Sequence, residues 1–153
     1  MDSEIQNACM RFVKIERTNT GYSLDPTGYM DRLPELAPQL PPGAARFVTD
    51  SDHYDFVGDR CVKDLKLVSM GLSPKNDQLA ITARFEWNQI APVGLTITYQ
   101  EVTQLNVASH HFGPVQLDET LPHERGCRHE IQLIGGSIVV VWAEFDAVWE
   151  PAP

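Results

Sequence analysis

Leu79-Ala80-Ile81-Thr82-Ala83-Arg84-Phe85-Glu86-Trp87 is the stretch on which the fold turns. Leu79, Ile81, Ala83, Phe85 and Trp87 alternate with Ala80, Thr82, Arg84 and Glu86. Successive side chains of an extended chain point to opposite faces, so this pattern predicts a strand with one face on a core and the other in water. The same period continues toward the C-terminus. Leu95, Ile97 and Tyr99 alternate with Thr96, Thr98 and Gln100, and Val102, Leu105 and Val107 either prolong that strand or pair with it after a bulge. Gly126 to Ile134 predicts a further strand, with His129, Ile131 and Leu133 on one face. Gly135-Gly136 reads as a two-residue hairpin turn that needs positive φ, and Ser137 to Trp149 as the last strand. The start of that strand, Ile138 to Trp142, is apolar on both faces and is expected at the centre of a sheet, covered on both sides. Toward the N-terminus, Val62 to Leu72 predicts a strand with an internal irregularity, and Ser73 to Asp77 a connecting turn. Asn88–Gly94 and Ala108–Pro114 read as loops, and Val115–Leu117 as a short strand or turn.

The chain before Cys61 has a different texture. Met10 to Glu16 reads as a first strand, Thr18 to Gly21 as a turn, and Tyr22 to Leu24 as a short piece pairing back. Asp25-Pro26 has the form of an N-cap followed by proline at the first helical position. A short helix over Thr27–Leu33 follows, with Pro34 opening a further turn to Gln39, and Met30, Leu33, Leu36 and Leu40 form its core-facing stripe. Pro38, Pro41 and Pro42 end it, and Pro42-Gly43 reads as a turn. The expectation is an α+β, mainly β protein with a short N-terminal helix. It forms a single domain over 1–153: a loosely ordered 1–9, a lead-in of strand, helix and loop over 10–60, an antiparallel β-meander over 61–149, and a tail at 150–153. The meander should have about six to eight strands and close as a sandwich or a partly rolled sheet.

Twelve Lys and Arg stand against 21 Asp and Glu among 153 residues, a formal charge of −9. Lys and Arg neutralising phosphate supply most nucleic-acid affinity, so a nonspecific DNA or RNA binder is disfavoured. No apolar run approaches the roughly 20 residues of a membrane helix. The N-terminus has no basic n-region and no apolar h-region, which implies a cytoplasmic protein rather than a secreted one. Cys9, Cys61 and Cys127 are odd in number and far apart, so buried thiols are the default, with a Cys61–Cys127 bridge left open.

The acidic excess is densest at residues 50–60, where Asp50, Asp52, Asp55 and Asp59 face only Arg60. The spacing is not that of a calcium loop, since Tyr54 and Cys61 fall where ligands are required. Two readings remain. The segment is a solvated loop anchored on the core by Tyr54 and Phe56, or it is an acidic, aromatic contact patch for a protein partner, made of Asp50, Asp52, Tyr54, Asp55 and Asp59. The histidines offer a less favoured metal reading. His123, Cys127 and His129 lie close, His110-His111 can approach from a neighbouring loop, and zinc takes such ligands, although HxxxCxH is no recognised motif. Acid–base pairs suggested by proximity in sequence are His53 with Asp55, and His129 with Glu130 or Glu119. Trp87, Trp142 and Trp149 read as core. There is no phosphate loop, nucleophile elbow, HExxH or kinase signature, and no cofactor is implied.

The order of Cys61-Val62-Lys63-Asp64-Leu65, the Leu79–Trp87 strand, Leu95 to Val102, His129 to Leu133 and the Val139–Trp149 strand resembles small β-rich bacterial proteins, among them immunity proteins of polymorphic toxin systems. The resemblance spans about residues 61–149, is one of pattern, and carries over no functional residue. It implies a non-enzymatic protein that binds and neutralises one toxin, with an acidic surface steering toward a basic partner. The alternatives are a small-molecule- or metal-binding β protein or enzyme using the histidines of the second half, and a structural domain that oligomerises through a strand edge.

Overall fold

The computed structural model describes residues 10–87 and 93–151, apart from the side chains of Val93 and Pro151. The loosely ordered segment expected at 1–9, Cys9 and most of the Asn88–Gly94 loop lie outside the described residues. Ten strands and two helices follow in order: β1 (Lys14–Thr18), β2 (Gly21–Asp25), α1 (Thr27–Leu36), a 3-10 turn (Ala37–Gln39), α2 (Pro42–Thr49), β3 (Lys66–Lys75), β4 (Gln78–Glu86), β5 (Val93–Val102), β6 (Gln104–Ser109), β7 (Val115–His123), β8 (Gly126–Leu133), β9 (Gly136–Trp142) and β10 (Glu144–Pro151). The mainly β, α+β reading holds: β3 to β10 are eight strands, within the six to eight expected of the meander, and β1 and β2 are the pair expected in the lead-in. All pairings are antiparallel: β1 with β2, a sheet of order β10-β5-β4-β3, and a sheet of order β6-β9-β8-β7. No helix among the described residues is long and apolar enough to cross a membrane.

Each large sheet is a three-strand meander that has taken a fourth strand from the other half of the chain. β5 runs into β6 and β9 into β10 with a single residue between, so two strand pairs turn the corner from one sheet to the other. Thr103 N–H donates to Val141 O and Ala143 N–H to Gln100 O at that corner, and Glu101 takes a positive φ of 53°. Strands that change sheets through such bends bring two inner faces together around one core. The core runs continuously through Ile81, Ala83, Phe85, Leu95, Ile97, Tyr99, Ile131, Ile138, Val140, Trp142 and Phe145. The alternation of β4 and β5 is reproduced, with Ile81, Ala83, Phe85, Leu95, Ile97 and Tyr99 all buried. Val139 and Val141, on the other face of β9, are buried as well, as expected for a central strand.

Several expectations are corrected. Ser137–Trp149 is two strands in two sheets, because the chain crosses the corner at Ala143 without a loop. Val102 ends β5, whereas Leu105 and Val107 belong to β6 in the other sheet. Ser73–Lys75 is strand, and the turn shrinks to Asn76-Asp77, both with positive φ. The turn after β8 is Ile134-Gly135, and only Gly135 needs positive φ, at 92°. Glu150 and Pro151 belong to β10 rather than a tail. Pro42-Gly43 opens α2 instead of forming a turn, with proline at the first helical position. Gly43 lies so close to β10 that a Cβ there would overlap the Phe145 carbonyl oxygen. On α1 the buried residue is Tyr29, whereas Met30 is exposed. The largest difference is β7. Val115 to Leu121 is buried throughout although it carries Gln116, Asp118, Glu119 and Thr120.

Candidate functional site

The two carboxylates of β7 are buried with partners, whereas Gln116 Nε2 and Thr120 Oγ1 are buried without one. Glu119 accepts the backbone N–H groups of Arg11, Phe12 and Val13 at 2.8, 2.6 and 2.9 Å, which pins the lead-in to the sheet. Across the ladder it faces Glu130, whose pKa burial raises, against hydrogen bonds and charge from Gln132 and Arg128. Asp118, on the other face, is 1% exposed and shared by two histidines. His53 Nε2 stands 2.8 Å from Oδ1 and His129 Nε2 2.7 Å from Oδ2. A carboxylate only accepts, so both Nε2 atoms donate. In the neutral His129 ring Nδ1 is then an acceptor, and it takes the Tyr99 hydroxyl at 2.7 Å. His53 Nδ1 has no hydrogen-bond partner. Two further tyrosines close the cluster, Tyr54 donating to Asp118 O and Tyr29 to Thr120 O, each at 2.6 Å.

The electrostatics follow from this geometry. Burial by itself would raise the Asp118 pKa, but the charge of His53 and the hydrogen bonds from His129 and His53 outweigh it. The carboxyl is held well below the usual carboxylate range. Tyr54 and Tyr99 are pushed well above the ordinary phenol value, by burial first and by the Asp118 charge second. Cys61 and Cys127 are free, buried thiols rather than a bridge, and burial pushes each up to about 11. Asp118 therefore stays ionised and paired at neutral pH, but the cluster is sealed. His53, Asp118 and His129 are buried, and the cavity that Asp118 and His129 border holds about 10 Å³, lined otherwise by Phe47, Val62, Leu65, Phe85 and other apolar side chains. That is at most the space of one water, so no substrate reaches these groups in this conformation.

The sequence-predicted site residues separate accordingly. His53 pairs with Asp118 rather than Asp55, and His129 with Asp118 and Tyr99 rather than Glu130 or Glu119. Cys127 and His129 share a face of β8, but His123 accepts the Arg125 N–H through Nδ1, and His110 and His111 are exposed. Among the described residues no three His, Cys, Asp or Glu side chains are grouped to hold a metal ion.

In the acidic loop, Tyr54 and Phe56 divide the two roles considered for them. Tyr54 is buried between Tyr29 and His53, so it anchors the loop and is no part of a surface patch. Phe56 is 41% exposed and Val57 90% exposed, so Phe56 does not anchor the loop in the core. Lys63 stands 5.5 Å from the Phe56 ring centroid, a cation–π contact. Asp50 and Asp52 are clamped by Arg60, whose Nε is 2.6 Å from Asp50 Oδ2 and whose second guanidinium nitrogen is 3.5 Å from Asp52. Hydrogen bonding to Arg60 lowers the Asp50 pKa. Asp55 and Asp59 are exposed beside the Phe56–Val57 tip. The base of the loop borders an open groove of about 690 Å³ between α1 and α2, lined by Met30, Leu33, Pro34, Val48 and Asp50 among others.

An apolar groove and a braced acidic loop with an apolar tip thus adjoin each other, Asp50, Ser51 and Tyr54 of the loop lining the groove. Comparison of the chain with family models, with curated proteins and with solved structures finds no match.

Proposed function

We propose that the protein is a non-enzymatic binding module that holds a basic protein partner on its 50–60 loop, of the kind a bacterial immunity protein uses against a toxin in the cytoplasm. The observation that supports this reading is the Phe56–Val57 tip. Two apolar side chains stand in solvent on a loop whose ends are fixed by the His53–Asp118 and Tyr54–Asp118 hydrogen bonds and by the Arg60 clamp. Exposed apolar groups on a braced loop give up little conformational entropy on binding and suit the centre of an interface. Asp55 and Asp59 supply a rim that draws a positively charged surface.

The test is co-expression with the products of the adjacent genes, followed by size-exclusion chromatography and binding kinetics. The expected result is a complex with one basic product that inhibits growth when produced alone. Phe56→Ala with Val57→Asp should weaken it by about 2 kcal/mol or more without lowering the Tm. Asp55→Asn with Asp59→Asn should slow association and reduce its salt dependence. If no adjacent product binds, or if binding ignores the loop variants, the reading fails.

A further inference from the structure

We infer that β6 is a pairing edge for a second copy of this chain, joining two β6-β9-β8-β7 sheets into one continuous antiparallel sheet. The two sheets have four outer strands, and three of them are protected. β3 carries a bulge at Val68, Pro74 within it and lysines at both ends. β7 is buried, and Val115 exchanges backbone hydrogen bonds with Asp64 and Leu65. β10 is lined by Glu144, Asp146 and Glu150, and α2 packs on it. These are the usual devices that keep an open strand from pairing. β6 reads Gln104-Leu105-Asn106-Val107-Ala108-Ser109 and has none of them. It has no charge, no proline and no register shift, and all of it except Leu105 is exposed.

The ladder shows which groups are offered. His110 N–H donates to Gly135 O, which makes Ser109–Gly136 a widely spaced pair. By alternation Gln104, Asn106 and Ala108 exchange bonds with β9. The N–H and C=O groups of Leu105, Val107 and Ser109 then point to the open side. Val107, 48% exposed, adds an apolar side chain on this edge, and Phe112, 47% exposed, follows three residues after the strand.

Charge argues for a second copy as the occupant. At −9, two copies repel wherever their carboxylates meet. The stretch between Glu101 and Asp118 is the longest in the chain without Asp, Glu, Lys or Arg, and β6 lies inside it. Antiparallel pairing of this segment with itself sets no like charges opposite one another. A basic partner would gain nothing from an uncharged edge and is drawn to the 50–60 loop instead.

Sedimentation velocity over a concentration series tests the proposal, with amide hydrogen exchange at low and high concentration. The full chain should dimerise with a Kd on the order of 10–100 µM, as suits a small interface. The amides of Leu105, Val107 and Ser109 should gain protection on dimerisation while those of Asn106 and Ala108 stay protected throughout. Val107→Lys sets two cations across the pairing and Val107→Pro removes an outward donor that no intramolecular bond uses; each should weaken the dimer at least tenfold with the Tm of the monomer retained. Phe56→Ala with Val57→Asp should leave it intact, which separates this edge from the loop. A chain that stays monomeric at about 1 mM overturns the proposal. So does a dimer indifferent to both Val107 variants.

Discussion

At Asp118 one carboxylate takes two imidazole N–H groups inside the core, and its pH dependence has a definite sign. The folded pKa lies below the unfolded value of about 3.9, so the unfolded chain binds the proton more tightly. The stabilisation is present above about pH 4 and is lost as the pH falls from there toward the folded pKa. Asp118→Asn should therefore flatten the acid limb of a stability–pH profile measured by urea titration. An acid limb unchanged from the parent would show that other carboxylates carry it. Asp118→Ala strands both histidines and should cost about 3–5 kcal/mol, the usual penalty for breaking a buried pair. Asn costs less, because His53 can change tautomer: its Nδ1 has no partner to lose, whereas Tyr99 holds His129 in place. Glu130 has the opposite sign. Its pKa is raised, so its contribution is full below about 4.3 and falls as the pH rises, and Glu130→Gln should gain on the parent with increasing pH. None of these pairings is visible in the sequence. His53 and Asp118 are 65 residues apart, and proximity in sequence suggested Asp55 instead.

At the scale of single elements, period two was a sufficient guide where one face is apolar and the other wet, as in β4 and β5. It failed at β7 because Asp118 and Glu119 lie on opposite faces and both are buried, so polarity there does not report exposure. It failed at the corner because Ala143 and Thr103 pass the chain between sheets without a turn residue. It failed at α2 because Pro-Pro-Gly has the composition of a turn and the position of a helix start. Two elements give direct checks. Gly43 admits no side chain against the Phe145 carbonyl, so Gly43→Ala should displace α2 from β10 and cost at the upper end of about 1–3 kcal/mol, read from the urea midpoint. The β3–β4 turn works in the other direction. Asn76 and Asp77 have φ of 52° and 65°, a conformation that Asn-Gly fills with less strain. Asp77→Gly should therefore raise stability by about 0.5–1 kcal/mol, the relief of the left-handed residue less the added entropy of the unfolded chain. A lowered Tm would show that the Asp77 side chain has a role that the turn geometry does not explain.

At the scale of the whole molecule the two sheets cannot come apart independently. β5 and β10 of one sheet continue into β6 and β9 of the other, and the Thr103–Val141 and Ala143–Gln100 hydrogen bonds span the corner. Tyr99 from one sheet and His129 from the other share a hydrogen bond, and Trp142 and Phe145 pack 4.9 Å apart on either side of Ala143. Loss of one sheet would expose the apolar face of the other and strand the buried Asp118 cluster, so no intermediate with a single intact sheet is favoured. Unfolding should accordingly be one transition. Tryptophan fluorescence, which reports Trp142 in the core among others, and far-ultraviolet circular dichroism should give coincident urea curves. The amides of β5 and β9, the interior strands at the corner, should exchange only through global unfolding, with protection equal to the full stability. Two separated transitions, or β8 amides more protected than those of β5, would mean that the corner is a hinge between two units rather than the seam of one.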